Sequence, residues 1–168
     1  MKKESGFTLI ELAVTVAIMA IMAAIVIPNM IGWMSRGRVN AAARDIVAAI
    51  QKARIEAVRQ NAPTVVTFNP AEISESDIRF LAFLDDGQGT VDNVGFGSGL
   101  QEGTERTIFP GRLPAGVSID TVNFSLSALK TSFNTRAIPS NSGDIILTND
   151  SGYTVTIDLG SGGIPKIK

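Results

Sequence analysis

Between Leu12 and Ser35 the chain carries no charged residue, and from Phe7 to Ile27 only Thr8, Glu11 and Thr15 interrupt an apolar or alanine sequence. At 1.5 Å of rise per helical residue, Phe7 to Ile27 extends about 30 Å, the thickness of a bilayer's hydrocarbon core. Such a run can span a bilayer, and 168 residues leave room for one compact domain with a modest core after it. Lys2 and Lys3 precede the run, which puts the N-terminus on the cytoplasmic side and exports the remainder.

Three readings fit such a segment. A secretory signal peptide has the basic start, but its apolar region is shorter and ends at a small-x-small cleavage site. Here bulky Ile21 and Met22 interrupt Ala20 to Ala24. A plain single-span anchor explains the length and leaves Glu11 without a reason, since a carboxylate inside the run costs about 2.5 to 3.5 kcal/mol at mid-bilayer and less towards the end. The third reading uses every residue of the junction. Lys2-Lys3-Glu4-Ser5-Gly6-Phe7-Thr8-Leu9-Ile10-Glu11-Leu12 resembles the leader junction of type IV pilins and pseudopilins, and Pro28 stands where that family usually carries a helix proline.

The resemblance implies that a prepilin peptidase cuts the leader, residues 1–6, after Gly6 and that Phe7 becomes the N-methylated terminus. It makes Glu11 the acidic residue through which subunits assemble. The residues support the arrangement independently: Gly6 offers a protease groove no side chain, and cutting there creates an amine one helical turn from Glu11. Pairing of that amine with the Glu11 carboxylate, within a subunit or across two, would offset an expensive charge.

Residues 7–33 are then the transmembrane and filament-core helix, and residues 34–62 an amphipathic stem. Pro28 lacks an amide hydrogen and is expected to kink the helix, with Gly32 a second weak point. Beyond them Val39, Ala43, Ile46, Ile50, Ala53 and Ala57 recur at spacings of four and three, one narrow apolar stripe among charges. Asn61 and Pro63 should end the helix.

From residue 63 to residue 168 the period changes. Thr64 to Phe68, Ile78 to Leu84, Arg106 to Phe109, Val117 to Leu126, Phe133 to Ile138, Asp144 to Thr148 and Tyr153 to Leu159 predict strands of an antiparallel sheet system, separated by Gly, Pro, Asn and Asp. The clearest alternates Tyr153, Val155, Ile157 and Leu159 inward. The expected class is α+β, a long N-terminal helix packed on an antiparallel β domain, which is also the pilin fold that the resemblance implies.

Composition closes most chemistry. The chain has no cysteine and no histidine, which removes disulfides, thiolates, the usual general base and the commonest metal ligand. No enzyme and no cofactor are expected. Charge is uneven. Arg36 to Arg59 holds six basic residues against Asp45 and Glu56, a net of +4, whereas from Gln60 onward seven basic residues face twelve acidic ones, a net of −5. Such a domain repels polyanions, so nucleic acid is not an expected partner. Lys166 and Lys168 form the one candidate DNA-contacting pair, with a soluble chain end as the plainer reading. Asp85, Asp86 and Asp92 with Asn93 could gather round a hard cation, but a solvated acidic loop is the simpler reading. Gly95 to Gly99 and Gly160 to Gly163 lack the lysine and spacing of phosphate loops and are expected to be turns.

Within the superfamily, Val39 to Pro63, Phe83-Leu84-Asp85-Asp86-Gly87, Phe133 to Ala137 and Gly162-Gly163-Ile164-Pro165-Lys166 are similar to the H-type minor pseudopilins and their FimT relatives. The paired cysteines of many major pilins are absent, and the calcium loop of the major pseudopilins is not evident. The resemblance implies a subunit of a type II secretion pseudopilus that waits in the inner membrane and then joins a periplasmic filament. Its partners would be other pilin or pseudopilin subunits, the prepilin peptidase/methyltransferase, an inner-membrane assembly platform and, before assembly, lipid. A FimT-like DNA-binding minor pilin and a surface-pilus subunit are the alternatives that the sequence leaves open.

Overall fold

The computed structural model describes residues 7–73, 75–86, 100–101, 105–125 and 128–168. Among these residues one α-helix, α1 (Leu9–Gln60), is followed by eight strands, with a short 3-10 helix (Pro70–Glu72) after the first: β1 (Thr64–Thr67), β2 (Phe80–Leu84), β3 (Thr107–Gly111), β4 (Val117–Phe124), β5 (Lys130–Phe133), β6 (Gly143–Asn149), β7 (Thr154–Leu159) and β8 (Pro165–Ile167). At 1.5 Å per residue α1 is about 80 Å long. Its backbone is helical without a break through Pro28 and Gly32. It stops where the sequence says it should: Asn61 takes the left-handed conformation (φ 49°, ψ 38°), and its amide donates back to the Ala57 and Val58 carbonyls.

The first and second halves of α1 have different surroundings. Every large apolar side chain described from Phe7 to Met34 is exposed, and this stretch is long and apolar enough to cross a membrane. From Val39 onward the expected stripe is fully buried, widened by Ala42 and Ala49. Five of the eight residues of that face are alanines, which let the sheets come close to the helix axis while keeping high helix propensity.

The expected antiparallel sheet system consists of two four-stranded sheets, in the orders β3-β2-β1-β5 and β4-β6-β7-β8. Both rest on the stem. Val66, Phe80, Ala82, Leu84 and Phe133 of the first sheet share one core with Ile145, Leu147, Val155, Ile157 and Leu159 of the second and with the helix stripe. Alternation sends Val65, Leu81 and Phe83 to the opposite face of the first sheet, where they form a second cluster with Ile78. Thr64, at the start of β1, donates its hydroxyl to the Ala53 carbonyl at 3.0 Å and so ties the first strand to the helix it has just left.

One expected strand is displaced for a local reason. The strand expected over Phe133 to Ile138 lies earlier, at Lys130–Phe133, because Asn134 Oδ1 accepts from the Arg136 and Ile138 amides and Ala137 sits at φ 60°. That side chain takes amides a strand would need. Gly160 to Gly163 is a turn as expected, but the tail after it is strand β8, paired with β7 in the register Asp158↔Lys166.

Candidate assembly site

The N-terminal end of α1 is built by two residues. Thr8 is the N-cap, and its hydroxyl oxygen accepts from the Glu11 amide at 3.3 Å. Glu11 Oε2 accepts from the Thr8 amide at 3.1 Å and from the Thr8 hydroxyl at 3.0 Å. This reciprocal capping box satisfies two helix-end donors at once. Thr8 is uncharged, so the box adds hydrogen bonds to Glu11 beside the charge pairing expected with the Phe7 amine. The signal was in the sequence as Thr-x-x-Glu ahead of an apolar run, and Thr8 is the site residue that sequence reasoning missed. Phe7 lies just outside the helix and is 82% exposed. Gly6 and the rest of the leader lie outside the described residues, as does the side chain of Pro28.

At the other end, the stem's basic residues do not simply point into solvent. Lys52 Nζ donates to the Ile108 carbonyl at 2.9 Å, Arg54 reaches the Ala137 and Gly162 carbonyls at 3.4 and 3.3 Å, and Arg38 reaches the Ala115 carbonyl at 3.4 Å. The Arg36 guanidinium lies 5.7 Å from the centroid of the Tyr153 ring. Glu56 gathers Arg59 at 2.9 Å and Arg106 at 2.8 Å. Burial works to raise the Glu56 pKa, but hydrogen bonds from Arg59, Gln60 and Arg106 outweigh it and hold the carboxyl below its ordinary range. These contacts fasten the domain to the helix through strand ends and turns. On the outward side of the stem, Ile55 and Val58 stay exposed in a shallow groove of about 640 Å³ flanked by Gln51, Arg54, Arg59 and Ala137.

The remaining candidates are drawn into structural roles. Asp85 is not a solvated loop residue. It is buried at the end of β2, where its amide donates to the Pro63 carbonyl at 2.9 Å, while Asp86 is half-buried. Asp92 and Asn93 lie outside the described residues, as do Gly87 and Gly95 to Gly99. Among the described residues no three acidic groups come together as metal ligands would. Lys168 is held by Asp158 at 3.0 Å, with Asp144 at 3.9 Å, and the hydrogen bond to Asp158 raises its pKa. Lys166 is exposed on the edge strand. The pair is therefore part of a sheet and not a free chain end, and one of its two charges is already matched by carboxylates.

Comparison with known proteins gives matches at both ends of this architecture. The family model for the prokaryotic N-terminal methylation motif matches residues 1–27, and the model for the type II transport protein GspH matches residues 42–163. A fimbrial protein of Pseudomonas aeruginosa is 38% identical over 90 residues, covering 53% of this chain and 57% of the relative. The type II secretion system core protein G of Vibrio cholerae is 44% identical over 48 residues, covering 29% of this chain and 33% of the relative. The chain thus spans from a third to just over half the length of these relatives. In structure it is similar to the type IV minor pilin FimU of Pseudomonas aeruginosa, with a TM-score of 0.51 at 13% identity over 81% of this chain and 92% of the other.

Proposed function

The chain belongs to the type II transport protein GspH family, a family of structural pilin and pseudopilin subunits and not of enzymes, and we propose that it serves as a minor pseudopilin of a type II secretion filament. The observation that carries the choice is where the GspH model matches. It covers residues 42–163, the stem and β domain, whereas the methylation motif covers the N-terminal segment, and the matched segment with the fimbrial protein spans only 57% of that relative. The fimbrial match is also the reason to keep a surface-pilus subunit as second reading. A DNA-capturing role is the weakest, because the β domain is acidic and Lys168 is already paired.

In this reading the chain is inserted in the inner membrane with its N-terminus cytoplasmic, is cut between Gly6 and Phe7, and is methylated on Phe7. It then packs its apolar helix among those of other subunits, with Pro28 the place where that helix bends. Deleting its gene tests the choice: loss of exoprotein secretion with surface pili retained supports the pseudopilin, and the reverse outcome transfers the protein to the pilus. Intact-mass measurement of protein recovered from membranes tests the processing, and a retained Met1 would refute it.

The capping box divides the role of Glu11 into two parts. Glu11→Gln keeps an oxygen that can accept from Thr8 and removes the charge, while Glu11→Ala removes both. If the charge pairs with a neighbour's Phe7 amine, both variants are cleaved normally and both are poorly crosslinked to other filament subunits, with Glu11→Asp intermediate. Normal incorporation of Glu11→Gln would leave the helix cap as the whole role.

A further inference from the structure

We propose that the β domain rests directly on the outer headgroup layer of the membrane that α1 spans, held there by a collar of Trp33, Arg36 and Arg38, and that this collar fixes how deep Glu11 lies. The proposal rests on the membrane reading of α1 and adds a depth to it.

The observations meet at one short stretch of helix. Trp33, the chain's single tryptophan, is 77% exposed. An indole is apolar over its body and polar at its N–H, and such side chains collect at membrane interfaces. Two residues later the uncharged run ends, and Arg36 and Arg38 follow, whose long apolar stems and charged heads suit the phosphate level. The domain begins at the same height. Asn149 Nδ2 donates to Ser35 Oγ at 2.8 Å, Tyr153 faces the Arg36 guanidinium, and the Ala115 carbonyl accepts from Arg38. Ser35 lies only about 3 Å along the axis beyond Trp33. The turns at 113–116 and 150–152, which abut where Asp150 approaches Gly116, therefore sit level with the collar. Within these two turns Asp150 is acidic, against Arg36 and Arg38 on the helix.

Placing Trp33 at the outer interface moves the span. Leu12 to Trp33 measures about 32 Å along the helix, which fills the hydrocarbon core, and Glu11 then falls at the cytoplasmic boundary. Had Phe7 to Ile27 filled the core instead, Trp33 would stand about 9 Å further out, in water, and the domain with it.

The test uses the full chain reconstituted in phosphatidylethanolamine/phosphatidylglycerol vesicles. Quenching of Trp33 fluorescence is measured with lipids brominated near the headgroup, with lipids brominated near the chain ends, and with aqueous iodide. Hydrogen exchange is followed at 113–118 and 150–152. We expect headgroup-proximal bromine to quench severalfold more than either other quencher, and Trp33→Ala to speed exchange in both turns severalfold while β7 stays unchanged. Flotation with the vesicles, combined with quenching by iodide and not by bromolipid, would overturn the collar and leave the membrane span intact. Failure to float would overturn the membrane reading and the collar with it.

Discussion

The two halves of α1 are one continuous helix, one nearly uninterrupted in its apolar character and the other a single apolar stripe among charges, and they belong to different solvents. The stem half buries Val39, Ile46, Ile50 and five alanines against two sheets and is stabilised by its own domain. Among the described residues the first half buries no large apolar side chain within the chain, and in the proposed reading lipid surrounds it before assembly and other subunits afterwards. The difference teaches that the same substitution is a folding mutation in one half and an assembly mutation in the other.

Matched substitutions should show this most strongly. Ile50→Ala should cost about 2–5 kcal/mol in the unfolding of the full chain in detergent, because it opens a cavity in the shared core. Ile25→Ala, on a residue 69% exposed, should leave that unfolding unchanged and lower recovery in filaments instead. Equal losses for both would abolish the distinction. Gly111→Ala sharpens it from the sheet side. A Cβ at Gly111 would fall within the Phe80 ring, whose other neighbours are Phe68 and Phe109. Overpacking of this kind costs about 1–3 kcal/mol, read from the midpoint of a urea titration. Thr64→Val should cost about 1 kcal/mol, since it removes a buried donor and leaves the shape nearly intact. The smallest effect is in pH. Burial works against the ionised Glu72 carboxylate, but bonds from Lys130, Thr67 and Asn69 prevail and lower its pKa. Its contribution is therefore fully present above the unfolded glutamate value of about 4.3 and is lost as pH falls through the lower folded value. Melts from neutral to acid pH should decline less steeply at the acid end in Glu72→Gln than in the parent.

What could be read beforehand divides along the same line. The stem stripe, the stop at Asn61 and the alternation of Val155, Ile157 and Leu159 are local periodicities, and residues a turn or two apart decide them. The Thr8–Glu11 box is equally local, but the cost of a charge in lipid hides the capping role of Glu11. The partition into two sheets was not legible, because β5 pairs with β1 across more than sixty residues and nothing near either strand specifies that partner. Strand β8 is too short to declare itself without β7 beside it. Nor could the carbonyl targets of Lys52 and Arg54 be foreseen, since the accepting atoms belong to the main chain and are identical at every residue.

That last feature bears on how such a subunit can diversify. Arg38, Lys52 and Arg54 recognise peptide oxygens at residues 108, 115, 137 and 162, and a peptide oxygen is indifferent to the side chain it accompanies. Point changes in these turns can alter the face shown to a cargo or a neighbour without unfastening the domain. Insertions or deletions that displace the oxygen itself do unfasten it. Descendants of this chain are thus free in the lettering of these turns and constrained in their length, a latitude suited to a component that keeps one anchor while its exposed end adapts.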